Sequence, residues 1–478
     1  MEARRIIGLD LGIASEHTAR VLDETGRTVA KRRALPTLES LATLEQAALE
    51  GALPDTALEV VMEPTGPAWL PIAVYFTSRG HRVFRVPSAK AHDMRRYFSR
   101  NAKSNTIDAD ALAKLAILDP GGLRPLVLDT ADQASLDRRV RACDRLTQQV
   151  GLHKIRIKDL VRQLLPMTPL SGDLGMADLA VLERWADPRD LVRVGRGRLA
   201  KVIATASRSQ QGDERAGEWL TAARGSLELY GDHPGVAFAD LADEVVTEIR
   251  LLRAIQAELA RHEEFREASY RRVDPDELAR SLPGVKTVGG PALVATMRSA
   301  DRFPSAAHFR SFTGLAPKAS ETGNTDRKGQ AMSKAGNALL RTTLIRAADN
   351  ARRQDPQLAR IYYVQMAERG KTHLGANCVV AAHLADRAWL VMKRGTPYVL
   401  QDIDGTVVTP AEAKAIIAER YTVSETIRQR RRSSKGGKAP QQVLAGRAKS
   451  HTEGADRRRR PSPATTSTRS EVPVKQPA

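Results

Sequence analysis

The sequence predicts an α/β domain at its amino end and mostly helical structure beyond it. Three observations carry that expectation. Short apolar runs of strand length at residues 6–10, 58–62 and 82–86 are set among turn residues and stretches of helical spacing. Apolar positions in four-three alternation recur from Leu136 and again from Leu241, the pattern of coiled-coil-like helices. From Glu425 onward the last 54 residues carry +10 of the net charge of +19 among Ser, Gly, Pro and Thr, a composition that buries no core. The 478 residues are expected to divide into an α/β domain at 1–128, a helical coiled-coil-like middle with an insertion at 129–275, a mostly helical second domain at 276–410, and a basic disordered tail at 411–478.

Taken in order, residues 6–10 read as a first strand. Residues 18–22, followed by Asp23-Glu24-Thr25-Gly26, read as a second that closes in a hairpin turn, and 27–33 return as a third. Helical spacing at 38–52, a buried strand at 58–62, a helix at 69–79 and a strand at 82–86 complete the series. Strand, hairpin, then alternating helix and strand is the order of a ribonuclease H-like domain, in which the acid of the first strand lies beside the acid ending the later parallel strand.

The acids stand where that fold needs them. Asp10 precedes Leu11-Gly12, so a tight turn exposes its carboxylate; Glu63 precedes Pro64-Thr65-Gly66-Pro67, which stops the strand at the end where open α/β sheets bind ligands. A third acidic stretch spans 103–110. Asn105 and Asp108 share a face if it is helical, whereas Asp108 and Asp110 diverge by ~200°, so Asp110 joins only if the helix starts late or bends there. Asn105 could coordinate through its amide oxygen or cap the helix. Hard oxygen donors from separate segments suit a cation site left partly open, so that substrate phosphates complete the shell. From Arg79 to Lys103 there are eight Lys/Arg, among them Arg95, Arg96, Arg100 and Lys103, and one acid, Asp93, a density that suits a phosphate backbone.

The remaining chain bounds the function. An excess of positive charge in both the folded part and the tail favours DNA or RNA as partner, while an aromatic content of 4% argues against stacking on many unpaired bases as the main binding mode. Two cysteines, Cys143 and Cys378, support neither a disulfide framework nor a thiolate zinc site, and read as small core residues. No stretch reaches ~18 uninterrupted apolar residues and no secretory segment opens the chain, so a cytoplasmic, nucleoid-associated protein without membrane contact is expected. Leu282-Pro283-Gly284-Val285 reads as a helix-hairpin-helix-like turn offering N–H groups to phosphate. A polar loop carrying Ser320 and Thr322 is followed by Arg327, Lys328, Lys334 and Arg341, able to neutralise a phosphate.

Asp10, the Met62-Glu63-Pro64-Thr65-Gly66 run and Lys103-Ser104-Asn105-Thr106-Ile107-Asp108-Ala109 resemble the RuvC-like domain of the insertion-sequence-110 family of DEDD transposases. Farther on, Ser281-Leu282-Pro283-Gly284-Val285 with Gly289-Gly290-Pro291, then Phe312-Thr313-Gly314-Leu315-Ala316-Pro317, then Met332-Ser333-Lys334-Ala335-Gly336-Asn337 are similar to that family's second-domain motifs in the same order. The resemblance covers about residues 5–400. It implies a transposase or site-specific recombinase in which Asp10, Glu63 and Asp108 match three of four magnesium-holding acids. The fourth falls on Asn105, a departure that Asp110 would have to offset. It implies a serine nucleophile at the position of Thr322, with Ser320 two residues earlier as the substitute. Its expected partners are DNA (element ends and target), a structured guide RNA and further copies of the chain, since strand exchange needs at least two active sites. A structure-selective junction endonuclease is the nearest alternative. An inactive nucleic-acid-binding descendant is a second. An actin-like ATPase would share Ile7-Gly8-Leu9-Asp10-Leu11-Gly12 but need a second phosphate loop, for which Asp404-Gly405-Thr406 comes too late.

Overall fold

The computed structural model describes residues 4–98, 104–170, 172–231, 233, 235–318, 321–322, 325–326 and 330–431. The chain divides into two compact units, Met1–Thr130 and Ala131–Ala478.

The first unit is built on a five-stranded sheet of β1 (Arg4–Asp10), β2 (His17–Leu22), β3 (Thr28–Ala34), β4 (Ala57–Met62) and β5 (Arg82–Arg85), in the order β3-β2-β1-β4-β5. The hairpin half is antiparallel, and β4 and β5 run parallel to β1, a mixed sheet of ribonuclease H-like topology. Asp23 fixes the β2–β3 turn by accepting from the backbone N–H groups of Thr25 and Arg27, each at 2.9 Å. Both faces of β1 and β4 are apolar because helices cover both. Ile7, Leu9, Val60 and Met62 pack with α1 (Leu38–Leu49) and α2 (Trp69–Ser78) on one side. Ile6 and Val61 pack with α3 (Ser88–Phe98) and α4 (Asn105–Leu118) on the other.

One glycine lets α4 lie flush on the sheet. A Cβ at Gly8, mid-β1, would stand 2.0 Å from the Ala109 carbonyl oxygen and 2.5 Å from the Ala113 nitrogen. The helix turns its alanines Ala109, Ala113 and Ala116, all buried, toward this contact.

The second unit begins with α5 (Ala131–Leu164), which pairs with α10 (Phe238–Val273). Asp132 meets Arg272, Ser135 meets Ser269, Arg139 meets His262 and His153 meets Glu248, so the two helices run antiparallel within one chain. Between them the sequence forms α6 (Met176–Leu182), α7 (Pro188–Val194), α8 (Arg196–Ala206) and α9 (Asp213–Tyr230). These close a core with Ile157, Val161 and Leu164 of α5 and Val245, Ile249 and Leu252 of α10 around fully buried Trp219.

Beyond α10 come α11 (Leu278–Ser281), α12 (Gly289–Met297), α13 (Ala306–Thr313), the two-residue strands β6 (Glu321–Thr322) and β7 (Thr325–Asp326), then α14 (Ala338–Ala351), α15 (Pro356–Tyr363), α16 (His373–Arg394), α17 (Pro410–Arg420) and α18 (Glu425–Arg430). Asp274 secures the corner between α10 and α11. Its carboxylate accepts from the Leu278 and Ala279 N–H groups, both at 3.0 Å, and from the Tyr270 hydroxyl at 2.7 Å. Burial, with that bond to Asp274, pushes the Tyr270 hydroxyl above its ordinary pKa. Asp274→Ala strands two helix-start donors and a buried hydroxyl, and is expected to cost about 3 kcal/mol, read as a lower urea midpoint at unchanged slope.

Two expectations change here. Gly284 has φ +73°, but its N–H donates to the Gln354 amide oxygen at 3.2 Å, and a Cβ would lie 2.3 Å from the Ala347 carbonyl oxygen. The turn is shaped for packing on α14, and that N–H is already committed inside the protein. The stretch expected to be disordered from 411 instead begins with two helices, α17 and α18, with Ala413 and Val423 buried beside them. A capping box of Thr409 with Glu412 starts α17. Residues 432–478 lie outside the described residues.

Candidate active site

Parallel register brings the first two acids together. Leu9 of β1 is the partner of Met62 of β4, so Asp10 and Glu63 leave neighbouring strands at the same level. Both line a cavity of about 540 Å³ whose opposite wall comes from α3 and α4, including His92, Arg95, Asn105 and Asp108. The α4 cap is Ser104, whose hydroxyl accepts from the Ile107 N–H at 3.3 Å, so Asn105 is not the cap and its side chain is left for the cavity. Arg95 stands 3.5 Å from Asp108, both half-buried. Thr65, from the run that follows β4, also lines the cavity, as do Ser88 and His92, which nothing in their spacing marked beforehand.

Asp110 is placed elsewhere. The helix begins at Asn105 rather than late, so Asp110 turns away from Asp108 and pairs with Lys114 at 2.7 Å, outside the cavity lining. The basic segment is also largely consumed by its own neighbours. Arg79 pairs with Glu45 at 3.0 Å, Arg82 with buried Glu59, and Lys90 with Asp119 at 2.7 Å, while Arg85 lies 3.9 Å over the Trp69 ring. Arg96 is exposed; Arg100 and Lys103 lie outside the described residues.

In the second unit the two downstream motifs are stems of one ribbon. The Lys334 N–H donates to the Gly314 carbonyl at 3.2 Å, Ser333 to Ala316 at 2.9 Å, Asn337 to Phe312 at 2.9 Å, and Lys318 to Ala331 at 2.9 Å. A Cβ at Gly336 would lie 2.4 Å from the Phe312 carbonyl oxygen, which accounts for glycine there. β6 and β7 form a separate two-stranded sheet, in which Thr322 pairs with Thr325. Arg341, expected to face phosphate, instead donates to the Lys334 carbonyl at 2.9 Å and braces the stem. The Lys334 backbone is left-handed at φ +57° and the residue is exposed. Ser320, Arg327 and Lys328 lie outside the described residues.

Comparison with known proteins matches both regions in order. A DEDD transposase model of the IS110 type covers residues 7–166, and a model described as the transposase IS116/IS110/IS902 family covers 276–363. The insertion element IS110 43.6 kDa protein of Streptomyces coelicolor is 26% identical over 409 residues, spanning 82% of this chain and 95% of its own. The chain belongs to the IS116/IS110/IS902 transposase family. A second relative, the insertion element IS116 44.8 kDa protein of Streptomyces clavuligerus, is 24% identical over 398 residues, spanning 81% of this chain and 94% of its own.

The transposase is therefore an enzyme of DNA transposition, and it binds DNA. Enzymes of the DEDD type typically use divalent metal ions. The cavity's donor chemistry fits such an ion: carboxylates of Asp10, Glu63 and Asp108 and the amide oxygen of Asn105, all hard oxygens from three elements. Among the described residues no three His, Cys, Asp or Glu side chains converge closely enough to enclose a metal by themselves. An ion here needs oxygens from elsewhere, which a nucleic-acid phosphate supplies. No helix among the described residues is long and apolar enough to cross a membrane.

Proposed function

We propose that the transposase cuts and rejoins element ends and target DNA with Mg2+ or Mn2+ held by Asp10, Glu63 and Asp108, helped by Asn105, and with a hydroxyl of Ser320 or Thr322 as nucleophile. The observation that carries this reading is the β1–β4 register, which delivers Asp10 and Glu63 to one cavity with Asn105 and Asp108. When bound, the ion supplies Lewis acidity to phosphoryl oxygens. The hydroxyl oxygen attacks phosphorus and loses its proton, the bond to the departing deoxyribose oxygen breaks, and that oxygen takes up a proton. The resulting protein–DNA ester preserves the phosphodiester for rejoining to another strand. Lys334, with Arg327 and Lys328, offsets the charge on phosphate, and Arg95 and Arg96, with Arg100 and Lys103, hold the backbone beside the acids. Asp110, engaged by Lys114, takes no part. A structured RNA from the element guides the choice of DNA, and at least two protomers act together because two strands must be exchanged. The net charge of +19 supports a complex with more than one polyanion.

The test is adduct trapping on a denaturing gel, with full-length protein, Mg2+, element junction DNA and the element's flanking RNA. A protein–DNA adduct is expected that disappears in Asp10→Ala and in one of Ser320→Ala and Thr322→Ala, and survives in the other. Leaving out the RNA is expected to abolish it. Cleavage without adduct, insensitive to both hydroxyl substitutions, would establish a water-using nuclease instead.

A further inference from the structure

The turn between β1 and β2 borders a second cavity built differently from the first. It is a groove of about 350 Å³ between that turn, the end of β3 at Leu35 and Pro36, and the start of α2 at Pro67 and Pro71, and its lining contains no Lys, Arg, Asp or Glu. On its floor lies His17, the first residue of β2, only 1% exposed. Neither ring nitrogen of His17 has a hydrogen-bond partner among the described residues. A buried imidazole left this way is costly, and phenylalanine would fill the same space without the cost. Burial lowers its pKa, so at neutral pH the ring is uncharged and presents one N–H donor and one nitrogen acceptor. Gly12 borders both cavities, so the groove opens directly beside the acids.

We propose that this groove receives one unpaired nucleobase of the strand whose phosphate lies in the acidic cavity, the exposed turn at Ile13, Ala14 and Ser15 shifting to uncover the His17 nitrogens, which then bond to the edge of that base. The inference rests on reading the acidic cavity as the phosphodiester site. An uncharged lining does not suit a phosphate, and an apolar side chain from a protein partner would leave the imidazole unsatisfied. A nucleobase meets both demands, placing flat apolar faces against Pro36, Pro67 and Pro71 and presenting a donor–acceptor edge to the ring. The groove then senses base identity at one position next to the cleaved bond.

The test uses full-length protein and element-end DNA carrying 2-aminopurine at each position around the cleaved phosphate in turn. One position is expected to brighten severalfold on binding to wild type and to Asp10→Asn, and to stay dark with Ala14→Trp, which fills the groove from an exposed turn. His17→Phe is expected to melt at or above the wild-type temperature. It should cut natural DNA about tenfold more slowly, yet match wild type on DNA that is abasic at the responding position. Three results overturn the proposal. One is cleavage by wild type with no responding position. Another is a His17→Phe protein that melts lower and is slowed equally on the abasic DNA, the behaviour of a structural histidine. The third is an Ala14→Trp protein whose sedimentation changes while the 2-aminopurine signal persists, which makes the groove a seat for a second copy. If Asp10→Asn cuts like wild type, the phosphodiester reading itself fails, whatever the groove does.

Discussion

Asp10→Asn is expected to lower DNA cleavage by about 10³-fold while the protein keeps its melting temperature and its affinity for element DNA. Asparagine preserves the size of the side chain and one oxygen, so β1 and the turn at Gly12 have no reason to move. What it removes is a full negative charge facing the cavity that Glu63 and Asp108 also line. If those carboxylates act together on a cation, Glu63→Gln and Asp108→Asn should fall to a similar level. The double variants should fall little further, because groups acting as one unit are not additive. Asp110→Asn is the internal control. Its carboxylate pairs with Lys114 on the surface of α4, and cleavage is expected to stay within about twofold of wild type. Single-turnover cleavage at saturating DNA, with binding measured separately in Ca2+, distinguishes lost chemistry from lost affinity. Equal losses for Asp110→Asn and Asp108→Asn would show that the side of α4 facing the cavity has been misidentified.

The parts of this site that could be read from the sequence are those fixed by local rules. An apolar strand that ends on an acid and then meets Leu-Gly or Pro-Thr-Gly-Pro must present that acid at its carboxyl end, and a helix beginning near Asn105 must put Asp108 on the same face. The pairing of β1 with β4 followed from strand order, which is also locally signalled. What the sequence withheld is set by which residues meet across the fold. Arg79, Arg82 and Lys90 resembled a phosphate-binding run, but Glu45, Glu59 and Asp119 come from distant segments to pair with them. Arg341 likewise proved to be a brace on the Lys334 carbonyl. The glycine of Leu-Pro-Gly-Val could equally serve phosphate or a packed helix, and only the position of α14 decides. His17 gave no warning at all, since an isolated histidine at the start of a strand has no pattern. Gly8 did carry a signal, because a glycine inside a strand often marks close approach of another backbone.

That glycine supports the second large prediction. Gly8→Ala is expected to destabilise the first unit by about 3 kcal/mol, well beyond the usual penalty of a surface change. The added methyl would lie 2.0 Å from the Ala109 carbonyl oxygen, 2.5 Å from the Ala113 nitrogen and 2.8 Å from the Ala113 Cβ. Ordinary contact needs roughly 3.5 Å, so α4 must lift from the sheet by on the order of 1 Å. Asp108 and Asn105 ride on that helix, whereas Asp10 rides on the strand it leaves. The fraction that still folds should therefore cut about 10²-fold more slowly, the usual consequence of misplacing a reacting group by such a distance. Two companions make the cause identifiable. Ala113→Gly added to Gly8→Ala should recover little, because the closest obstacles are backbone atoms that no side-chain change removes. Gly121→Ala, where a Cβ meets nothing within 4 Å, should cost no more than about 0.5 kcal/mol. Urea unfolding followed by circular dichroism measures the stability, and single-turnover cleavage below the onset of unfolding measures the site. Full recovery in the double variant would mean that a side-chain clash alone opposes the methyl, and that α4 is free to settle on β1 without glycine.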